Sequence, residues 1–184
     1  AYVPITDCWC RFCSYSIVPY VRGRLQSRAH EDILNEVRTL IDGGAREITL
    51  RGQNVDAYGK DLRNGYGFAS LLADTAALPG LERLRFATSH PKDFDADILD
   101  VMRDNPTICR AINLPVQSGS DMILREMNRG YTSGQYPEPV DRIKTALPHV
   151  SLTTDPLAGF PGEPAADFRA SCPPPASVTF DTGP

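Results

Sequence analysis

The sequence of 184 residues contains no long hydrophobic segment and has only three methionines, three histidines and one tryptophan. No apolar run approaches the roughly 18 residues that a membrane-spanning helix needs. The first residues, AYVPITDC, lack the basic segment followed by an apolar segment that marks a secretory signal peptide. These absences predict a cytoplasmic protein that does not enter a membrane. The missing initial methionine predicts a fragment of a longer protein.

Positive charge is also scarce. The sequence has 19 lysines and arginines against 23 acidic residues, and its pI is near 5.3. This balance argues against a generic nucleic-acid-binding protein, which usually carries a basic excess. The exception is the segment 8–30, which contains Arg11, Arg22, Arg24 and Arg28 but no acidic residue. Such a local excess predicts either contacts with an anion, such as RNA phosphates, or arginines that brace a loop.

The same segment contains three of the five cysteines, Cys8, Cys10 and Cys13, in the pattern C-x-C-x2-C. An odd number of cysteines without a secretory signal argues against a disulfide framework. The residues alone leave three alternatives open: an iron–sulfur site, a zinc site, or three unligated thiols. No fourth zinc ligand is visible at a typical spacing, because His30 is distant.

Strand-like and helix-like segments alternate along the chain. Apolar spacing predicts strands at 1–6, 46–50, 81–88, 108–116, 150–155 and, weakly, 177–180, and helices at 29–42, 67–78, 95–103, 120–127 and from Pro137 onward. Because parallel strands need a crossover connection, this alternation predicts βα units, a parallel sheet and a partial or complete barrel.

Polar, glycine-containing segments follow the predicted strands. They are GQNVDAYGKD, SHPKDF, QSGS and GFPGE, and the cysteine segment follows the first strand. In parallel α/β folds the carboxyl ends of the strands meet at one edge, where ligands bind. The sequence therefore predicts a ligand site at that edge.

Five blocks of sequence carry a resemblance to a known family. They are IVPYVRGRLQSR, EITLRGQNVDAYGKDL, LPGLERLRFATSHPKDF, LPVQSGSDMILREMNRGYT and GFPGE. In this order they resemble the radical S-adenosylmethionine (SAM) core of the MiaB-type tRNA methylthiotransferases. The resemblance implies an α/β fold, a partial TIM-like (β/α)6 radical SAM barrel over residues 1–168, followed by an irregular tail at 169–184.

The function that the resemblance implies is the transfer of a methylthio group to an isopentenylated adenosine next to the tRNA anticodon. In that family three cysteines, spaced C-x3-C-x2-C, bind a [4Fe–4S] cluster whose fourth iron binds SAM. Reductive cleavage of SAM then gives the 5′-deoxyadenosyl radical. The family's proteins also have an N-terminal domain with an auxiliary cluster and a C-terminal RNA-binding domain, and neither is found in these 184 residues.

The cysteine segment departs from the family pattern. Alignment on IVPY places Trp9, Cys13 and Ser16 at the three ligand positions, so only Cys13 is a thiol there. Cys10 and Cys8 are candidate displaced ligands, although a shift by one residue moves the Cα by about 3.8 Å and usually turns the side chain away.

The resemblance also implies residues that bind SAM. They are Tyr15 against the adenine, Gly52, Gln53 and Asn54 at the amino acid end, and Ser89, Gln117, Gly159 and Gly162 on the other loops. No catalytic residue is identifiable from the sequence. In place of the family's His-x-His pair the chain has Ala111 and Asn113.

Two functions from different classes follow. The first is a methylthiotransferase core whose activity is impaired in this fragment, with the tRNA anticodon loop as its partner. The second is a catalytically inactive barrel that retains only SAM or RNA binding. The contrast between intact loop motifs and an altered cysteine segment motivates the second hypothesis.

Overall fold

The computed structural model describes residues 1–7, 13–87, 89–92, 94–171 and 180. Its strands are β1 (Tyr2–Pro4), β2 (Thr6–Asp7), β3 (Gln26–Ser27), β4 (Glu47–Arg51), β5 (Arg83–Ala87), β6 (Ala111–Asn113) and β7 (Ser151–Thr153). Its α-helices are α1 (Val18–Arg22), α2 (His30–Asp42), α3 (Phe68–Ala76), α4 (Ala96–Asp104), α5 (Asp121–Glu126), α6 (Pro137–Ala146) and α7 (Ala165–Ser171). Within these ranges, none of the helices has the length and apolar character needed to cross a membrane.

The central strands run parallel, as predicted. β4 lies between β1 and β5, and β6 pairs with β7. The segment that leads into β6 joins the two groups, because Cys109 N–H donates to Leu84 O at 2.9 Å and Leu84 forms a parallel bridge with Ile108. The order β1-β4-β5-β6-β7 therefore follows the chain, and the predicted parallel α/β fold is confirmed.

Apolar residues spaced three and four apart place one face of each long helix on the sheet. In α2 these residues are Ile33, Val37 and Ile41, all of which are buried. Glu31 lies in the first turn of α2, where the helix dipole favours negative charge. The helix ends at a turn in which Gly44 has φ +97°, a conformation that favours glycine.

The prolines near α6 fit the predicted helix start. Pro137 is the first helical residue, where its missing N–H removes no intrahelical hydrogen bond. β7 ends at Thr153, so Pro156 follows the strand instead of interrupting it. Pro156 instead forms an isolated parallel bridge with Gln117.

Sequence reasoning missed three features and misplaced one boundary. The missed features are helices α1 and α7 and the antiparallel pairing of β2 with β3, in which Thr6 lies opposite Ser27 and Asp7 opposite Gln26. The expectation of an irregular chain from 169 is wrong for residues 169–171, which form the last turn of α7. The Ser171 hydroxyl holds this turn against the QSGS loop, because it accepts from Gly119 N–H at 2.9 Å.

The predicted sixth strand at 177–180 lies outside the described residues except for Phe180. The ring of Phe180 packs against the hydrophobic core, with its centroid 6.5 Å from that of Tyr136.

Candidate functional site

The predicted SAM-binding loops leave the sheet at one edge. Gly52 directly follows β4, and Ser89 and Gln117 follow β5 and β6. Ser89 N–H donates to Asn113 O at 3.2 Å, and Gln117 N–H donates to Asp155 O at 3.1 Å, so neighbouring loops are hydrogen-bonded to each other. The predicted convergence of these loops is confirmed, whereas their contacts with SAM stay a prediction.

Asp56 is a site residue that sequence reasoning did not identify. Its buried carboxylate accepts from the Ser89 hydroxyl at 3.1 Å and from His90 N–H at 3.0 Å. A carboxylate is a strong acceptor, and burial makes these hydrogen bonds costly to lose. Asp56 therefore ties the loop after β4 to the loop after β5.

Gly52 is required by close packing. A Cβ atom at this position would lie 2.4 Å from Thr6 Oγ1, which is too close for any real contact. The same Thr6 hydroxyl is buried and has no hydrogen-bond partner among the described residues. An unsatisfied polar atom at this edge fits a site that accepts a polar ligand. Beyond Gly52 the loop exposes Gln53 and buries Asn54.

Gln117 adopts a conformation that is uncommon outside glycine. Its φ is +65°, and the strain is held by hydrogen bonds on both sides, the second from Leu157 N–H to Gln117 O at 2.7 Å. Strained backbone of this kind concentrates at ligand sites. Nearby, Asn113 donates through Nδ2 to Asp155 at 2.9 Å and to Thr153 at 3.1 Å, so it joins β6 to β7.

Gly159 and Gly162 lie in the exposed turn of the GFPGE motif. Their φ angles are +80° and +82°, and an added Cβ would meet nothing within 4 Å at either position. Backbone conformation, not space, therefore favours glycine here. Glu163 closes this turn by accepting from Gly159 N–H at 2.8 Å. The predicted role of both glycines in binding SAM stays a prediction.

Cys13 is the described member of the cysteine cluster, and it is buried, with 1% of its surface exposed. The backbone beside it is fixed to the end of α5, because Ser14 donates through its hydroxyl to Glu126 O at 2.6 Å. Arg129 Nη1 lies 3.6 Å from Cys13 Sγ, which is within hydrogen-bonding range for sulfur. Trp9, Cys8 and Cys10 lie outside the described residues.

Among the residues that the structure describes, Arg129 is the largest fully buried side chain, with 2% of its surface exposed. Its Nε donates to the Tyr131 hydroxyl at 3.4 Å, and its Cζ lies 5.5 Å from the Tyr131 ring centroid. No carboxylate lies within ion-pair distance of it in the described part of the chain. The guanidinium beside Cys13 therefore contacts a phenol, an aromatic ring and a sulfur atom, and its charge is not paired with a carboxylate among these contacts.

Tyr15, the predicted adenine contact, borders this charged cluster, and 37% of its surface is exposed. Partial burial raises the pKa of Tyr15 to about 12, with Arg129 opposing the shift and Cys13 adding to it. Its hydroxyl is consequently neutral at physiological pH. Sequence reasoning used RGYT only as a mark of resemblance and assigned no role to Arg129 or Tyr131.

The family's cluster requires three thiolates, and the residues at the three family positions do not fit it. Ser16 is partly buried, and its hydroxyl accepts from Val18 N–H at 3.4 Å. An indole, as in Trp9, offers no ligating atom to iron. No group of three His, Cys, Asp or Glu side chains that could hold a metal occurs within the described ranges.

For Arg28, the structure distinguishes between the two interpretations of the basic segment, which were contact with an anion and bracing of a loop. Its guanidinium forms an ion pair with Glu36 at 2.7 Å and donates to Pro4 O at 2.6 Å. Arg28 therefore braces the base of the loop. His30, considered as a zinc ligand, stacks on Tyr66 with ring centroids 4.2 Å apart.

Comparison with known proteins gives matches over most of the chain. The profile of the radical SAM superfamily matches residues 6–172. The chain is 50% identical over 171 residues to the tRNA-2-methylthio-N(6)-dimethylallyladenosine synthase of Carboxydothermus hydrogenoformans, covering 93% of this chain and 39% of that protein. It is 48% identical over 181 residues to the synthase of the same name from Moorella thermoacetica, covering 98% of this chain and 41% of the relative. The chain thus spans about two fifths of the length of these relatives.

Solved structures show the same fold. The radical SAM methyltransferase TsrM from Kitasatospora setae, solved with tryptophan and a SAM analogue, superposes with a TM-score of 0.71 at 19% identity. The alignment covers 92% of this chain and 32% of that protein. The cobalamin-dependent SAM radical enzyme OxsB gives a TM-score of 0.66 at 13% identity. The resemblance predicted from the sequence blocks is confirmed.

Proposed function

The chain belongs to the radical SAM superfamily, and we propose that it is the SAM-binding core of a cytoplasmic tRNA methylthiotransferase. Its substrate would be an isopentenylated adenosine next to the anticodon. The observation that carries the proposal is the identity of about one residue in two with curated methylthiotransferases over 171 residues. The parts of those relatives beyond the matched region would supply the auxiliary cluster and further RNA contacts.

The loops at the carboxyl edge would hold SAM. Backbone groups near Gly52 and the unsatisfied Thr6 hydroxyl offer polar contacts, and Asp56 fixes Ser89 in place. In the superfamily the [4Fe–4S] cluster supplies the electron that cleaves SAM. Because Trp9 and Ser16 replace thiols in this chain, no step through that cluster is assigned to it.

A second candidate function is supported by the same substitutions. With only Cys13 at a family ligand position, the chain would be an inactive barrel that retains SAM or RNA binding. In this case there would be no cluster beside Cys13 whose negative charge the buried Arg129 could offset.

Anaerobic reconstitution with iron and sulfide separates the two functions. The wild-type chain and the Trp9→Cys/Ser16→Cys variant are compared by iron content, by visible absorption and by SAM affinity. If the chain is an inactive barrel with an altered cysteine segment, the wild type should bind SAM without taking up a cluster. The double variant should then gain a cluster. A wild-type chain that takes up a full [4Fe–4S] cluster would instead show that Cys8 and Cys10 together replace the two missing ligands.

Two further results would contradict the proposal itself. If neither protein binds SAM, the assignment of the loops at the carboxyl edge is wrong. If the double variant stays colourless although it is folded, the alignment of the cysteine segment is wrong. Cys109→Ser serves as the matched control, because Cys109 lies at the β5–β6 junction and not at the site.

A further inference from the structure

Two cavities share lining residues around Tyr131, which contacts the loop after β6. The first, of about 270 Å³, is lined by residues that include Lys92 and Arg142. The second, of about 510 Å³, is lined by residues that include Arg125 and Thr132. Gly130, Tyr131 and Gln135 line both cavities, so the two adjoin, and together they are here called the Tyr131 groove.

The Tyr131 groove carries more positive than negative charge. Lys92 Nζ donates to Gly130 O at 3.4 Å, and Arg142 Nη2 donates to Phe94 O at 2.5 Å. Backbone carbonyls are neutral, so neither contact cancels the charge of the side chain. No carboxylate lies within ion-pair distance of Lys92 or Arg142 among the residues that the structure describes.

Two acidic residues also line the groove. Asp121 accepts from Ser133 N–H at 2.6 Å, and this hydrogen bond holds the pKa of Asp121 below its usual value. Glu138 is exposed in the first turn of α6. The end of the groove formed by Lys92 and Arg142 is also lined by Glu138, and the other end by Arg125 and Asp121. Three cations against two carboxylates leave one net positive charge, and it lies at the end formed by Lys92 and Arg142.

The floor of the groove is connected to the predicted site through Tyr131. The Tyr131 hydroxyl donates to Val116 O at 2.8 Å, directly before the strained Gln117. On its other side Tyr131 contacts Arg129, which reaches Cys13. Tyr131 therefore links the groove both to the loop after β6, which belongs to the predicted SAM site, and to Cys13 through Arg129.

We propose that the Tyr131 groove binds a nucleotide of the RNA substrate, with a phosphate on Lys92 and Arg142 and a base against the Tyr131 ring. Cations next to an aromatic ring are the combination that binds single-stranded RNA, since every base has a face that can stack. This inference rests on the proposed function, because it takes RNA to be the substrate.

Binding of a short anticodon stem-loop RNA tests the proposal. Affinity is measured by fluorescence anisotropy between about 50 and 200 mM KCl, where counterion release is readily measured. The Lys92→Gln/Arg142→Gln variant is compared with Arg38→Gln/Arg63→Gln, which removes the same charge from exposed positions on α2 and the loop after β4. Thermal melting confirms that both variants are folded.

The expected result for the groove variant is a weaker affinity, by about tenfold, and a flatter salt dependence. The slope of log Kd against log salt should fall by about 0.7 for each single-strand phosphate that the variant no longer binds. The control variant should keep the wild-type slope. Tyr131→Leu should weaken binding without changing the slope, because it removes stacking and leaves the cations that bind phosphate in place.

Other outcomes overturn the proposal in distinguishable ways. If the wild-type chain binds RNA and the groove variant has its affinity and slope, the groove is not the binding site, and the proposed function stands. If inorganic pyrophosphate displaces the RNA at equal phosphate concentration, the groove is a simple anion site. If the wild-type chain binds no RNA even at low salt, RNA recognition by this core and the groove assignment both fail, whereas SAM binding is tested separately.

Discussion

Replacing Arg129 with methionine should leave the protein as stable as the wild type or make it more stable. The guanidinium is buried, yet its contacts are a phenol, an aromatic ring and a thiol. Desolvating an ion costs several kcal/mol in a protein interior, and only well-formed partners recover that cost. Methionine has a similar length, no charge and enough flexibility to fill the same space.

The magnitude follows from these contacts. The two long hydrogen bonds to Tyr131 and Cys13 contribute roughly 1–2 kcal/mol together, and the contact with the Tyr131 ring adds about 1 kcal/mol. Against this loss stands the desolvation of one charge, which is at least as large. The net change in unfolding free energy should lie between about 0 and 2 kcal/mol in favour of the variant, or up to about 6 °C in the melting temperature.

Urea denaturation followed by circular dichroism measures this difference, with two control variants. Arg129→Ala removes the charge but leaves a cavity, so it should be about 2–4 kcal/mol less stable than Arg129→Met. Arg129→Lys keeps the charge but loses the planar geometry of the guanidinium, so this variant should be less stable than both the wild type and Arg129→Met. If Arg129→Met loses more than about 3 kcal/mol while Arg129→Lys does not, the charge is paired and the reasoning is refuted.

Three further predictions concern the loops at the carboxyl edge. Gly52→Ala should lower the free energy of unfolding, measured by urea denaturation, by about 1–3 kcal/mol because its Cβ would meet Thr6 Oγ1. Gly134→Ala, with open space around it, should cost almost nothing. Equal effects of the two substitutions would contradict the close packing of Gly52 against Thr6. Burial raises the pKa of the Tyr58 hydroxyl from 10.0 to about 12, so the native state retains this proton at a pH at which the unfolded chain loses it. The contribution of this pKa shift to the free energy of unfolding is complete below pH 10 and declines as the pH rises toward 12. Tyr58→Phe should therefore reduce the loss of stability over this range by roughly 1–2 kcal/mol, and an unchanged pH profile would refute the shift. Gln117→Gly should melt at a higher temperature because glycine relieves the backbone strain at φ +65°. The variant should bind SAM more weakly if the Gln117 side chain contacts SAM. A lower melting temperature would show that no strain is stored at this residue.

The fold was predictable because the strongest signals are repeated along the sequence. The apolar spacing of α2 and the proline start of α6 fix both helices locally. The β2–β3 pairing was not predictable, because it joins two-residue segments that are separated by a long loop. Helix α7 as a whole was not predicted, and its last turn depends on contacts that are distant in the sequence, since the Ser171 hydroxyl is hydrogen-bonded to Gly119 and Ser118.

The site was predictable only as a set of loops. Strand order places Gly52, Ser89 and Gln117 at one edge without any knowledge of side chains. The buried groups that support them, Asp56 and Arg129, were not identified, because a charged residue in a polar motif resembles a solvated one until its burial is known. The backbone strain at Gln117 likewise could not be predicted from the residue type.

The pairing of Thr6 with Ser27 and of Asp7 with Gln26 has a consequence for how the cysteine segment can change. This pairing joins the two ends of residues 8–25, and Ser14 fixes the segment to the end of α5 at a further point. Thiols introduced at positions 9 and 16 would therefore leave each of these anchoring residues in place.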